Sequence, residues 1–76
     1  MTTYNGHKNW NYWNVSLWIN NDEGLYNLAR DCIRETHDRR HAAALFCSHM
    51  DEMQQSKTPD GARYTVSAVR AAMVGM

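Results

Sequence analysis

The sequence predicts an all-α fold, a small compact bundle of about four helices. Apolar residues recur at helical spacing through Leu25, Leu28, Ala29, Cys32 and Ile33, and again through Ala42, Leu45, Phe46, His49, Met50 and Met53. The only proline, Pro59, falls in one turn-forming stretch, "SKTPDGA". Eight aromatic residues among 76 supply large apolar side chains to a chain so short that it buries only about 60% of its unfolded surface.

Residues 1–8, "MTTYNGHK", carry an Asn-Gly turn signal and read as an arm. Asn9 then caps a helix that begins at Trp10. Trp10, Trp13 and Leu17 share one face of that helix, while Tyr12, Val15 and Ile19 share nearly the opposite one. Trp13, Val15, Leu17 and Ile19 also alternate with Asn14, Ser16 and Trp18, as a strand would. A single strand would have no partner, so the helix is preferred. The expected core face is Trp10, Trp13 and Leu17, which leaves Tyr12 and Trp18 as the aromatics for exposure. Asn20, Asn21 and Asp22 divide the first helix from the second, with Asn20 and Glu23 at capping-box spacing.

The second helix runs on its apolar stripe until "THDRRH", where the helical phase is lost without Gly or Pro. That break predicts a tight helix–helix turn before the third helix. After the turn at residues 56–63, Thr65 caps a short last helix, and Tyr64 and Val69 take the two positions of a hydrophobic staple. Val66, Val69 and Met73 are expected in the core, with Gly75 as the stop. Residues 1–76 form one domain without repeats or linkers.

Composition narrows the function. Eight Lys and Arg balance eight Asp and Glu, whereas a non-specific nucleic-acid binder carries excess positive charge. Apolar runs fall far short of the ~20 residues of a membrane span. Cys32 and Cys47 read as free thiols in a reducing compartment, so the expectation is a soluble cytoplasmic protein. Both thiols lie on apolar stripes, where they are packing rather than nucleophiles. His37 and His41 are four apart, but adjacent arginines and the lack of a CxxC argue against a metal. No Gly-rich phosphate loop or nucleophilic serine setting is present. The reading is a non-enzyme without metal or cofactor.

The remaining signal is basic. Arg30, Arg34 and His37 follow helical spacing on the polar side of the second helix, and Arg39 and Arg40 extend the strip at the turn. Guanidinium groups there suit phosphates or an acidic protein surface. Asp31, Glu35 and Asp38 are interleaved, so the same strip also reads as a solvated face of intrahelical pairs. Tyr12 and Trp18 join the arginines as candidate partner contacts, since exposed aromatics anchor interfaces.

The stretch "YNGHKNWNYWNVSLWINNDEGLY" resembles a family of small proteins encoded by phages and other mobile elements. Its opening matches at Tyr4, Asn5, Gly6, Asn9, Trp10, Trp13, Asn14, Val15, Leu17, Trp18, Ile19, Asn21 to Leu25, and Tyr26. "TPDGARY" resembles a segment found before the last helix of these proteins, whereas "THDRRHAAALF" departs from the pattern. The resemblance implies no catalytic residue. It implies a setting, in which very small phage proteins bind and block a host machine. The leading expectation is an anti-CRISPR or related anti-defence inhibitor that docks on a Cas protein or surveillance complex in the bacterial cytoplasm. A nucleic-acid-binding regulator and a dimerising accessory protein are the alternatives.

Overall fold

In the computed structural model, which describes residues 8–76, four helices follow one another: α1 (Trp10–Asn21), α2 (Glu23–Thr36), α3 (Arg39–Glu52) and α4 (Val66–Ala72). The all-α expectation holds, and the described residues contain no strand beyond one isolated bridge between Lys57 and Arg63. The expected arm lies outside the described residues except for Lys8, as do Tyr4, Asn5 and Gly6.

Each helix begins where a side chain can take an orphan N–H. Asn9 accepts from the Tyr12 N–H at 3.0 Å, and Thr65 accepts from the Ala68 N–H at 3.1 Å. At the α1–α2 junction one residue does two jobs. The Asp22 N–H donates to the Trp18 carbonyl (2.9 Å) to close α1, and its carboxylate accepts from the Leu25 N–H (3.0 Å) to open α2. The capping box expected at Asn20 is therefore absent. Asn20 still belongs to α1, and its amide turns back to the Ser16 carbonyl at 2.9 Å. The phase break is a two-residue turn. His37 adopts the left-handed conformation (φ 59°) that ends α2, and Asp38 caps α3 by accepting from the His41 N–H.

The helices close into a ring in which α1 packs on α2 and α4, and α3 packs on α2 and α4. Ile19, Phe46, Met50 and Met73 are the largest buried side chains, with Val15 and Val69 beside them. Alanines at 29, 42, 43, 62, 68 and 72 fill the rest and let the backbones approach closely. Phe46 meets Tyr64 edge-on, with ring centroids 5.7 Å apart.

The core face of α1 is the reverse of the expected one. Val15 and Ile19 are fully buried and Tyr12 packs against the core, whereas Trp10 and Leu17 are 40% and 38% exposed and Trp13 is half-buried. The helix is apolar on both sides, so pattern alone could not choose. The compact β-branched side fits the alanine-rich interior, and it also brings Asn14 to a buried polar partner described below. Val66 is likewise exposed, because Ala68, Val69, Ala72 and Met73 form the inner arc of α4 and Val66 falls at its edge. The helix ends at Ala72, before Gly75, where the bonding tightens to i→i−3: the Met73 N–H also reaches the Arg70 carbonyl (3.1 Å) and the Val74 N–H that of Ala71 (3.3 Å).

Candidate partner-binding surface

Arg30 and Arg34 on α2, His37 at the α2–α3 turn and Arg40 in the first turn of α3 are all exposed. They fall toward one end of the α2–α3 pair, because Arg30 and Arg34 lie in the later turns of α2 and the His37–Asp38 turn leads straight into α3, which packs on α2. Their environments differ. The Arg30 guanidinium sits over the Tyr26 ring at 5.8 Å. Arg34 pairs with Asp31 one turn earlier, and both are well exposed, so the pair adds little stability. Asp38 contacts the His41 ring, and that hydrogen bond holds its carboxyl below the usual carboxylate range.

Arg39 is exposed as well, but its guanidinium is engaged within the chain. Its Nε donates to the Met73 carbonyl (3.1 Å) and an Nη donates to the Met76 backbone oxygen (2.7 Å). A cation at the carboxyl end of α4 satisfies carbonyls that the helix leaves open. Arg39 is a brace between α3 and the chain beyond α4.

Tyr12 and Trp18 also depart from expectation. Both are half-buried. Tyr12 packs on the core with the Lys8 ammonium 5.7 Å from its ring centre. The Trp18 Nε1 donates to Asp60 Oδ2 at 2.9 Å. Neither aromatic takes part in the arginine corner, because α1 turns them toward α4 and the α3–α4 loop.

That loop is held by a polar clamp which sequence reasoning did not find. Asn14 and Thr58 are both nearly fully buried, and the Thr58 hydroxyl donates to Asn14 Oδ1 at 2.6 Å. Thr58 Oγ1 in turn accepts from the Ala62 N–H at 3.0 Å. The Asn14 amide donates to Asp60 Oδ2 at 2.9 Å, the same oxygen that Trp18 reaches. These two bonds hold the Asp60 carboxyl below its usual range, the Asn14 bond counting most. Asn11 exchanges two 3.0 Å bonds with the backbone N–H and carbonyl of Arg63. Gly61 takes φ 97°, which lets the loop turn back on itself. The available signal was asparagine inside a helix, where it is a poor helix former unless its amide is engaged.

The thiols are shielded. Burial, followed by the nearby Glu35 and Asp31 carboxylates, pushes Cys32 up to about 11. Burial and Asp51 raise Cys47, whose Sγ donates to the Tyr64 carbonyl. Neither is a low-pKa nucleophile. Among the described residues no three His, Cys, Asp or Glu side chains are grouped to hold a metal ion, and no helix is long and apolar enough to cross a membrane.

A second concave surface lies on the outer side of the α2–α3 pair. It is a groove with Leu25, Leu28, His49 and Met53 on its floor.

No curated protein and no solved structure matches this chain. One family model does, across residues 1–76, and the chain therefore belongs to the family of unknown function DUF7249.

Proposed function

We propose that this chain is a non-enzymatic binding protein of the anti-defence kind, which inhibits by occupying the surface of a larger protein. The carrying observation is the α2–α3 corner, where Arg30, Arg34, His37 and Arg40 stand exposed on two helices joined by a two-residue turn. Guanidinium groups on a fixed scaffold suit the carboxylates or phosphates of a partner. The shielded thiols argue against cysteine chemistry. The resemblance of the Trp-rich opening to small phage proteins makes a Cas protein or CRISPR surveillance complex in the bacterial cytoplasm the first target to test. Asp31, Glu35 and Asp38 interrupt the positive charge of the corner, which favours a protein partner over bare nucleic acid.

The test is capture of the tagged protein from cells that express CRISPR–Cas machinery, with mass spectrometry of what co-elutes. A stoichiometric Cas subunit that is lost with Arg30→Glu combined with Arg40→Glu is the expected result. Nucleic acid alone, released by added salt, would replace this reading with the regulator. Arg39 is left intact because its substitution would loosen α4.

A further inference from the structure

We propose that the groove between α2 and α3 is a docking site for a basic amphipathic helical segment of a partner protein. The proposal rests on the reading that the chain works by binding a protein, and it adds a second contact surface with its own chemistry.

Shape is the first argument. Two adjoining concavities, of about 400 and 470 Å³, share Leu28 and His49. Together they follow α2 from Leu25 to Glu35, a rise of about 15 Å. That is the length of roughly three helical turns. Leu25, Leu28 and Met53 supply apolar floor, and Met53 remains 50% exposed, with none of the described residues folded over it. A groove of this form takes a helix that inserts apolar side chains at i, i+3 or i+4, and i+7.

Charge identifies the occupant. Asp22 and Glu52 stand at one end of the groove, and Asp31 and Glu35 at the other. The one lining residue with a fixed positive charge is Arg34, whose guanidinium is already held by Asp31, and His49 lies where the two concavities meet. Lys57 lies farther off, in a neighbouring concavity beyond Gln55. Burial chiefly raises the Cys32 thiol, and the Glu35 and Asp31 carboxylates of this end of the groove add to that rise. An acidic rim around an apolar floor matches lysines or arginines flanking apolar anchors. It repels nucleic acid and anionic lipid. A two-fold pairing of this face with itself would set carboxylates against carboxylates.

The experiment titrates the intact protein, labelled at its methionine methyls and backbone amides, with two synthetic helices of about 15 residues. One carries leucine anchors with lysines, and its twin carries glutamates in place of the lysines. The lysine peptide is expected to shift Leu25, Leu28, His49 and Met53 and to bind at least about tenfold more tightly than the twin. Glu35→Lys with Glu52→Lys, both exposed positions, should weaken it by about tenfold or more with an unchanged circular dichroism spectrum. If that pair disturbs folding, Met53→Lys serves instead. Equal binding of both peptides, shifts confined to the Arg30 and Arg40 corner, or no saturation by ~1 mM would overturn the proposal. Capture from cells separates the two claims. A Cas subunit retained by the groove variant overturns the groove and leaves the inhibitor reading. Peptide binding with no captured target does the reverse.

Discussion

Among the described residues, two other than glycine take the left-handed conformation, His37 at φ 59° and Gln54 at φ 58°, and each follows the end of a helix. At Gln54 the hydrogen bonds are those of a Schellman ending. The Gln54 N–H reaches the Asp51 carbonyl (3.0 Å) and the Gln55 N–H reaches that of Met50 (2.8 Å). A side chain with a Cβ is strained there, and glycine is not. Gln54→Gly is therefore expected to stabilise the fold by about 0.5–1 kcal/mol. A chemical-denaturation midpoint that rises with an unchanged slope would confirm it, and a lowered midpoint would count against it. The asparagines near α1 are understood at the same scale. Asn9 caps, Asn11 pairs with Arg63, Asn14 holds Thr58 and Asp60, and Asn20 and Asn21 turn back to the carbonyls of Ser16 and Leu17. A composition that suggests an outward recognition surface is mostly engaged in holding the molecule to itself.

Between elements, the α3–α4 loop is fastened to α1 through the buried Asn14–Thr58 bond. Asn14→Ala would leave the Thr58 hydroxyl without that partner in a dry site, at a cost of about 1–3 kcal/mol. Amide exchange should then quicken at Gly61, Ala62 and Arg63 while α2 and α3 keep their protection; uniform acceleration would show that the clamp is not local. Local signals made the helices legible. Asn9 and Thr65 announce their caps, and the lost phase at "THDRRH" announces the turn, because capping and periodicity involve residues three or four apart. The buried face of α1 was not legible. Its two apolar faces compete, and the choice depends on Thr58 and Asp60, more than forty residues away. The bond from Arg39 to the Met73 carbonyl was not legible for the same reason, since only the folded chain brings the two together. The arginine corner was legible in part: Arg30, Arg34, His37 and Arg40 are exposed as the helical spacing implies.

For the whole molecule, titration sets a window of stability. The Asp60 and Asp38 carboxyls are held below their ordinary range, so their contribution is present above about pH 4 and lost as pH falls through the lowered values. Cys32 is raised from 9.0 to about 11, and Tyr64 is raised as well by burial. Their contribution is full below the ordinary values and is lost as pH rises toward the raised ones. The melting temperature should therefore be flat from about pH 5 to 8 and fall on both sides. Asp60→Asn should shallow the acid limb and Cys32→Ala the alkaline limb; limbs unmoved by both would contradict this assignment. The junctions carry a further consequence. A single residue, Asp22, joins α1 to α2, and two residues join α2 to α3, so neither connection has slack. The one long connection is tied down by the clamp. Among the described residues, no connection between helices thus offers a hinge on which they could swing apart. A partner that meets it encounters a finished shape, and little of the encounter's free energy is spent on ordering this side of the complex.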